Sequence, residues 1–179
     1  INNKLKPKPS GLPLVVDLFA GCGGLALGFE AQGFETHGYE MDPACCATYR
    51  KNLLGQCDNV FLTPETPLAS AKILIGGPPC QPFSVIGKQN GLNDSRNGFP
   101  IFIQAVKTLN PDIFLFENVR GLLYRSKSYF EYIIQRLKGL GYVLEYRVLN
   151  AVDYEVPQKR ERLIVVGHRG AFIFPCPSS

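Results

Sequence analysis

Short apolar segments alternate with helical segments along most of this chain of 179 residues. The strand-like segments are 14–19, 36–40, 60–62, 73–75, 113–116, 142–149 and 163–166. The helical segments are 25–32, 43–52, 100–109 and 129–140. Such alternation is typical of an α/β fold with a mostly parallel, doubly wound sheet. In sheets of this kind ligands bind at the carboxyl ends of the strands, which is where the motifs below fall.

The composition predicts one domain behind a short tail. Residues 1–13 are polar, rich in proline, and carry Lys4, Lys6 and Lys8, so we expect a flexible basic tail. Residues 14–179 are enough for a single domain with its own core. No apolar run approaches the roughly 18 residues typical of a membrane span. The net charge of +4 mildly favours a polyanionic partner.

The six cysteines show no Cys-x-x-Cys spacing, and the two histidines are isolated in sequence. The sequence therefore predicts no metal site. Reduced thiols in a cytoplasmic chain are the better interpretation of this pattern.

One cysteine has a distinctive setting. Cys80 follows Gly76-Gly77 and the diproline Pro78-Pro79 at the end of an apolar run. Proline fixes φ, and glycine adopts conformations that other residues resist, so these residues form a stiff mount. A nucleophile needs such a mount because its direction of attack must be set before the substrate arrives.

A glycine-rich turn follows the first strand. Gly21, Gly23 and Ala26 match a dinucleotide-binding pattern, and Glu40 follows about 20 positions on, where its carboxylate could accept hydrogen bonds from ribose hydroxyls. Alone, this pattern leaves a nicotinamide-dependent oxidoreductase open as an alternative. The Cys80 segment has no role in that alternative.

Two further motifs carry charge next to apolar strands. Glu117 closes an apolar strand, where burial would raise its pKa and make it a proton donor. The alternative is a carboxylate that only caps a helix or pairs with an arginine. Arg160 and Arg162 flank Glu161 before the last strand and point the same way on an extended chain. A solvated basic face is the alternative for these arginines.

Together and in this order, the motifs resemble those of the DNA cytosine-5 methyltransferases. They are Asp17-Leu18-Phe19-Ala20-Gly21-Cys22-Gly23-Gly24-Leu25, Gly76-Gly77-Pro78-Pro79-Cys80-Gln81-Pro82-Phe83-Ser84, Glu117-Asn118-Val119 and Gln158-Lys159-Arg160-Glu161-Arg162. The resemblance implies a Rossmann-like, S-adenosylmethionine-dependent methyltransferase fold. It also implies methyl transfer to C5 of cytosine in double-stranded DNA, as in restriction-modification systems.

The resemblance assigns roles to four catalytic residues. The Cys80 thiolate adds to C6 of a cytosine flipped out of the duplex, under a loop that contains Gln81 and Ser84. Glu117 contacts N3 and the exocyclic amine, Arg162 binds O2, and Arg160 holds the site together or touches phosphate. We expect nearby arginines, or the helix after the loop, to lower the pKa of Cys80.

The same resemblance implies an S-adenosylmethionine site. Phe19 and Met41 would lie near the adenine, and Glu40 would bind the ribose. The whole set is Phe19, Ala20, Gly21, Gly23, Gly24, Leu25, Glu40, Met41 and Pro78. The family often has an acidic residue after strand three that contacts the adenine amine, but residues 62–65 contain no clear aspartate.

Members of the family continue past the last motif into a target-recognition domain. We therefore expect this chain to be a catalytic half, as a fragment or as one subunit of a split enzyme, that binds cofactor weakly and is inactive alone. The expected location is the bacterial cytoplasm or nucleoid. A tRNA cytosine-5 methyltransferase and a non-catalytic DNA-binding relative remain alternatives. The sequence does not indicate the recognised DNA site.

Overall fold

The computed structural model describes residues 5–8, 11–80 and 97–177. Gln81 and Ser84 lie outside the described residues. The strands are β1 Leu12–Leu18, β2 Phe34–Glu40, β3 Gln56–Asn59, β4 Ile73–Gly76, β5 Ile113–Val119, β6 Val143–Asn150 and β7 Glu161–His168. The helices are α1 Gly24–Glu30, α2 Pro43–Asn52, α3 Phe99–Leu109, α4 Gly121–Tyr124 and α5 Lys127–Lys138.

The seven strands form one sheet in the order β3-β2-β1-β4-β5-β7-β6. Strand β1 pairs in parallel with β2 and with β4, and β2 pairs in parallel with β3. Strand β6 runs antiparallel to β7. The predicted α/β class with a mostly parallel sheet is confirmed.

The chain divides into two compact units. The first unit comprises residues 1–77 and 100–114, and the second comprises residues 78–99 and 115–179. Each has its own buried apolar residues. In the first unit these include Val15, Val16, Leu18, Leu74 and Ile75, and in the second they include Phe116, Leu122, Ile133, Leu137 and Leu163.

Local sequence signals explain the start of α2. Asp42 is the N-cap residue, and its Oδ1 accepts hydrogen bonds from the amides of Ala44 and Cys45 at 2.8 and 2.9 Å. Pro43 occupies the first turn, where the missing amide hydrogen costs nothing. The predicted helix 43–52 is confirmed at both ends.

The prediction for the third strand is wrong. Strand β3 covers Gln56–Asn59 rather than 60–62, because it is a polar edge strand in which Cys57 alone is buried. Central parallel strands are typically apolar runs, so a search for apolar runs does not detect a polar edge strand of this kind. Strand β1 begins at Leu12, inside the segment 1–13 that the composition predicts as a tail. Strands β5 and β7 are longer than predicted and include Glu117 and Arg162.

Candidate active site

Hydrogen bonds hold the Cys80 mount from two sides within the second unit. On one side the Asn118 side chain donates to the carbonyl of Pro78 at 2.8 Å. On the other side Cys80 forms an antiparallel bridge with Asn97, and the amide of Gly98 donates to the carbonyl of Pro79 at 3.0 Å. The diproline segment and Cys80 are therefore held both by Asn118 and by the segment of Asn97 and Gly98.

Burial raises the pKa of the Cys80 thiol to about 11. Among the described residues no arginine or helix lowers this pKa as expected, because desolvation acts on the thiol and raises it. At neutral pH the resting side chain is therefore a protonated thiol. A nucleophilic role requires that deprotonation accompany substrate binding.

Glu117 meets both arginines of the predicted motif. The Nε atom of Arg162 lies 2.7 Å from Oε1 of Glu117, and Nη2 of Arg160 lies 3.6 Å from the same oxygen. The two arginines are two positions apart around the start of β7, so an extended chain presents them on one side. The side chains of Glu117 and Arg162 are 28% and 26% exposed, whereas that of Arg160 is 49% exposed. The result is one carboxylate between two guanidinium groups at a partly open surface.

Glu161 lies between these arginines and has its own partner. Its Oε2 accepts from Nη1 of Arg120 at 2.5 Å. Its carbonyl accepts from Nη1 of Arg162 at 2.8 Å. Glu161 therefore joins Arg120, which follows the motif Glu117-Asn118-Val119, to the motif that contains Arg162.

In the first unit, backbone geometry shapes the glycine-rich turn. Gly21 and Gly23 have φ values of 54° and 85°, in the left-handed region that favours glycine. A Cβ at Gly21 or at Gly24 would have no neighbour within 4 Å. A Cβ at Gly23 would lie 2.4 Å from Cδ1 of Leu53 and 2.7 Å from Cδ2 of Tyr49. Gly23 is therefore required for packing, and the space beside Gly21 and Gly24 is open.

Glu40 ties this turn to the end of β2. Its Oε2 accepts from the amide of Gly21 and its Oε1 accepts from the amide of Asp42, both at 2.8 Å. Each carboxylate oxygen can accept a further hydrogen bond. The open space beside Gly21 and the acceptor capacity of Glu40 together fit the ribose and backbone contacts of an S-adenosylmethionine.

The residues around Glu40 complete this part of the first unit. The side chain of Met41 is 65% exposed, Ala20 is buried, and Phe19 is partly buried with φ of 58°. Asn59 donates from Nδ2 to the carbonyls of Glu40 at 3.0 Å and Met41 at 2.9 Å. Strand β3 thus ends on an amide where the resemblance implies an acid. Asn59 precedes the segment 60–62 that was predicted as the third strand, so the prediction did not include it.

Asp17 lies beneath these residues in β1 and is 1% exposed. Its Oδ2 has no hydrogen-bond partner among the described residues. Burial raises the pKa of Asp17 to about 8, and the charge of Glu40 adds to that shift. This burial could not be predicted from the sequence, because an acid at the end of an apolar strand is also typical of a solvent-exposed strand end.

The structure thus groups the predicted residues into two sets. Cys80, Glu117, Arg160, Arg162 and Pro78 belong to the second unit. Phe19, Ala20, Gly21, Gly23, Gly24, Leu25, Glu40 and Met41 belong to the first. The part of the chain that the structure describes contains no group of three or more His, Cys, Asp or Glu side chains that could hold a metal ion. None of its helices has the length and hydropathy needed to span a bilayer.

The comparisons with known proteins agree with the motif order. Residues 14–177 match the family model described as C-5 cytosine-specific DNA methylase. This match covers most of the chain, and the chain belongs to that family.

Two bacterial relatives and one solved structure illustrate the similarity. The type II methyltransferase M.AplI of Arthrospira platensis is 51% identical over 163 residues, which are 90% of this chain and 47% of that protein. M.AquIA of Picosynechococcus sp. is 39% identical over 188 residues, with 92% of this chain and 76% of that protein covered. A putative DNA modification methyltransferase encoded within an E. coli prophage has a TM-score of 0.69 at 26% identity, over 87% of this chain and 46% of that chain. The chain spans about half the length of M.AplI.

Proposed function

We propose that this chain is the catalytic portion of a type II DNA cytosine-5 methyltransferase of a restriction-modification system. One observation carries the proposal. Glu117 stands next to Asn118, whose side chain donates to Pro78 in the Cys80 mount at 2.8 Å. The proposed acid and the proposed nucleophile are therefore held on one hydrogen-bonded frame, and Arg162 contacts that acid at 2.7 Å.

The proposed reaction begins at the Cys80 sulfur. The thiol loses its proton, and Sγ forms a bond to C6 of a cytosine that has left the base stack. The electron pair of the C5–C6 double bond shifts so that C5 becomes nucleophilic. S-adenosylmethionine, when bound, would supply the electrophilic methyl group that C5 accepts, and its sulfur–methyl bond would break to leave the neutral thioether S-adenosylhomocysteine. Water then takes the C5 proton, the C5–C6 double bond re-forms, and the Cys80 thiolate leaves C6.

Glu117 and the arginines would hold the base during this addition. Glu117 would bind N3 and the exocyclic amine, and a proton shared at N3 offsets the negative charge that thiolate addition brings to the ring. Arg162 uses Nε for Glu117 and Nη1 for the carbonyl of Glu161, and its guanidinium has further N–H groups for the cytosine O2. Arg160, at 3.6 Å from Glu117, would orient that carboxylate or contact a phosphate.

The first unit would bind the cofactor. Glu40 would accept hydrogen bonds from the ribose hydroxyls, Phe19 and Met41 would pack on the adenine, and Ala20, Gly24 and Leu25 would line the methionine end. Gly21 and Gly23 shape the turn, and Pro78 would complete the set. The open space at Gly21 and Gly24 and the two oxygens of Glu40 support this assignment.

The proposal includes recognition of the DNA site by a further segment or subunit. The coverage of only 47% of M.AplI supports this part. The protein would then act on DNA in the bacterial cytoplasm, and this chain alone would bind cofactor weakly.

Covalent trapping tests the proposed reaction in the natural protein that carries this chain. A 5-fluorocytosine has no C5 proton to lose, so a methylated adduct with Cys80 persists and adds the mass of the oligonucleotide to the protein. We expect an adduct with duplex DNA in the presence of S-adenosylmethionine, none with Cys80→Ser, and an unchanged adduct with the control Cys176→Ser. Trapping of tRNA alone would favour the RNA enzyme. Cofactor binding without any adduct would favour a non-catalytic relative.

A further inference from the structure

Two buried polar residues outside the four motifs contact each other beside Cys80. The phenol of Tyr129, in α5, donates to Oδ1 of Asn97 at 2.8 Å. Asn97 is 4% exposed and Tyr129 is 6% exposed. Asn97 in turn forms the antiparallel bridge with Cys80.

We propose that Tyr129 is a positioning residue, which acts on Cys80 through Asn97. The phenol fixes the Asn97 side chain, and the Asn97 backbone fixes the residue that carries the thiol. The structural part of this inference stands alone, and its effect on methyl transfer rests on the proposed function.

Aromatic packing restricts where the phenol can go. The ring of Tyr129 meets the ring of Phe99 edge to face, with centroids 5.9 Å apart, and Phe99 meets Phe116 in the same way at 5.2 Å. The amide of Phe99 also donates to Oδ1 of Asn97 at 3.2 Å. In these apolar surroundings a lost hydrogen bond leaves a desolvated polar group, so the contact favours a single arrangement.

The bridge between Asn97 and Cys80 matters because it belongs to one of the two attachments that hold the mount. Asn118 binds Pro78, and the segment of Asn97 and Gly98 binds Cys80 and Pro79. Asn118 belongs to a recognised motif and is next to Glu117. The second attachment depends on Asn97, whose side chain depends on Tyr129. A loosened attachment would let the sulfur move relative to Glu117.

The electrostatics agree with this proximity. Burial raises the pKa of Tyr129 to about 12, and the charge on Cys80 acts in the same direction. At neutral pH the phenol therefore keeps its proton and its role as a donor. A displacement of about 1 Å at a reacting group can cost roughly 10²-fold in rate, so even a small release of this contact is measurable.

Site-resolved alkylation tests the structural part without DNA or cofactor. The variant Tyr129→Phe removes the hydroxyl and keeps the ring. The matched control is Tyr132→Phe, whose ring stacks on Tyr129 with centroids 6.1 Å apart and which is 45% exposed. We expect iodoacetamide at pH 8 to modify Cys80 about threefold faster or more in Tyr129→Phe, because a released thiol is better hydrated and forms thiolate more readily. Tyr132→Phe should match the wild type.

The chain contains its own indicators of global unfolding. Cys46 and Cys57 are 0% and 2% exposed, and their modification is measured in the same digest by mass spectrometry. They should remain as slow as in the wild type. If they accelerate together with Cys80, the tyrosine is merely structural and the proposal is overturned. Unchanged modification of Cys80 overturns it equally.

A second pair of variants tests the route through Asn97. Asn97→Ala removes the acceptor and should accelerate Cys80 as Tyr129→Phe does, with no further gain in the double variant. Asn97→Asp keeps an oxygen for the phenol and should stay close to the wild type. Additive acceleration in the double variant would show that the two residues act separately and would contradict the proposed route.

Trapping with 5-fluorocytosine DNA measures the effect on the reaction. We expect the trapping rate in Tyr129→Phe to fall by about tenfold, with the concentration of DNA at half-maximal rate within about twofold, because positioning affects the chemical step. Small-molecule reactivity would then rise while productive attack falls. A wild type without any adduct would count against the proposed function, and the alkylation pattern would still decide the role of Tyr129. Equal trapping rates in an active wild type and in Tyr129→Phe would overturn that role.

Discussion

The two units of the chain hold their proposed functional residues by different means. In the first unit the carboxylate of Glu40 accepts hydrogen bonds from the backbone amides of Gly21 and Asp42, so the turns themselves hold that carboxylate in place. In the second unit Glu117 is held by the side chains of Arg160 and Arg162, which belong to a distant segment of sequence. The difference indicates that substitutions in the first unit should mainly change folding, and those in the second should mainly change reactivity.

The largest expected effect is on folding in the first unit. Gly23→Ala should lower the free energy of unfolding by about 3 kcal/mol, since it combines a positive φ with overpacking. The added Cβ would overlap Leu53 and Tyr49, which are 7% and 0% exposed, and the hydroxyl of Tyr49 donates to Thr36 at 2.7 Å, so these side chains cannot easily move. Urea denaturation measures the change.

Gly21→Ala is the matched control for that substitution. Gly21 also has a positive φ, but its added Cβ would have open space. We expect a loss of about 1 kcal/mol from backbone strain alone. Equal losses at the two glycines would mean that packing against Tyr49 contributes nothing.

In the second unit the next largest effect should fall on reactivity. Arg162→Ala should lower the trapping rate with 5-fluorocytosine DNA by about 100-fold, because it removes the 2.7 Å contact to Glu117 and a donor for the base. Arg160→Ala should cost about tenfold or less, since Arg160 is half-exposed and 3.6 Å away. Both variants should denature within about 1 kcal/mol of the wild type. A larger loss of trapping for Arg160→Ala would reverse the proposed roles.

More of the contacts in the first unit than in the second could be predicted from the sequence. Gly21, Gly23 and Glu40 act through a turn and a strand end that are close in the chain, so spacing alone indicated their arrangement. The contacts of Asn97, Asn118 and Tyr129 join segments that meet only when the sheet assembles, and no local pattern specifies such contacts. Among these three residues Asn118 alone has a sequence signal, because it belongs to the Glu117-Asn118-Val119 motif.

Two further misses have the same cause. Strand three was predicted from an apolar run, but an edge strand needs few apolar residues, and so Asn59 escaped notice. The sequence led us to expect that nearby arginines, or the helix after the loop, lower the pKa of Cys80. Burial decides it instead, and burial depends on the packing of the whole unit.

A pH dependence distinguishes the first unit further. The folded pKa of Asp17 is about 8 against an ordinary 3.8, so the folded chain holds a proton that the unfolded chain releases. This contribution to stability is complete below about pH 4 and is lost as pH rises toward 8. Between pH 5 and pH 7 the wild type should lose about 2 kcal/mol of unfolding free energy relative to Asp17→Asn, which does not titrate.

Urea denaturation at pH 5, 6 and 7 checks this difference. Asp42→Asn is a control that should run parallel to the wild type over this pH range, because hydrogen bonds from the amides of Cys45 and Ala44 lower the pKa of Asp42. Its contribution is present above about pH 4 and is lost as the pH falls below that value. Parallel stability profiles for the wild type and Asp17→Asn would show that Asp17 is charged in the folded chain.

The smallest expected effect concerns the pair of Arg120 and Glu161, which approach to 2.5 Å but are 58% and 44% exposed. A double-mutant cycle with Arg120→Ala and Glu161→Gln should give a coupling energy of about 0.5 kcal/mol that declines in 0.5 M salt. Distance alone would predict a larger coupling energy for this pair than for Arg162 and Glu117. Exposure predicts a smaller one, because water screens the charges and the side chains lose entropy when they pair. A coupling energy of about 2 kcal/mol would mean that the surface ion pairs of the second unit stabilise its fold as the amide contacts do in the first. The two units would then no longer differ in the way that their contacts indicate.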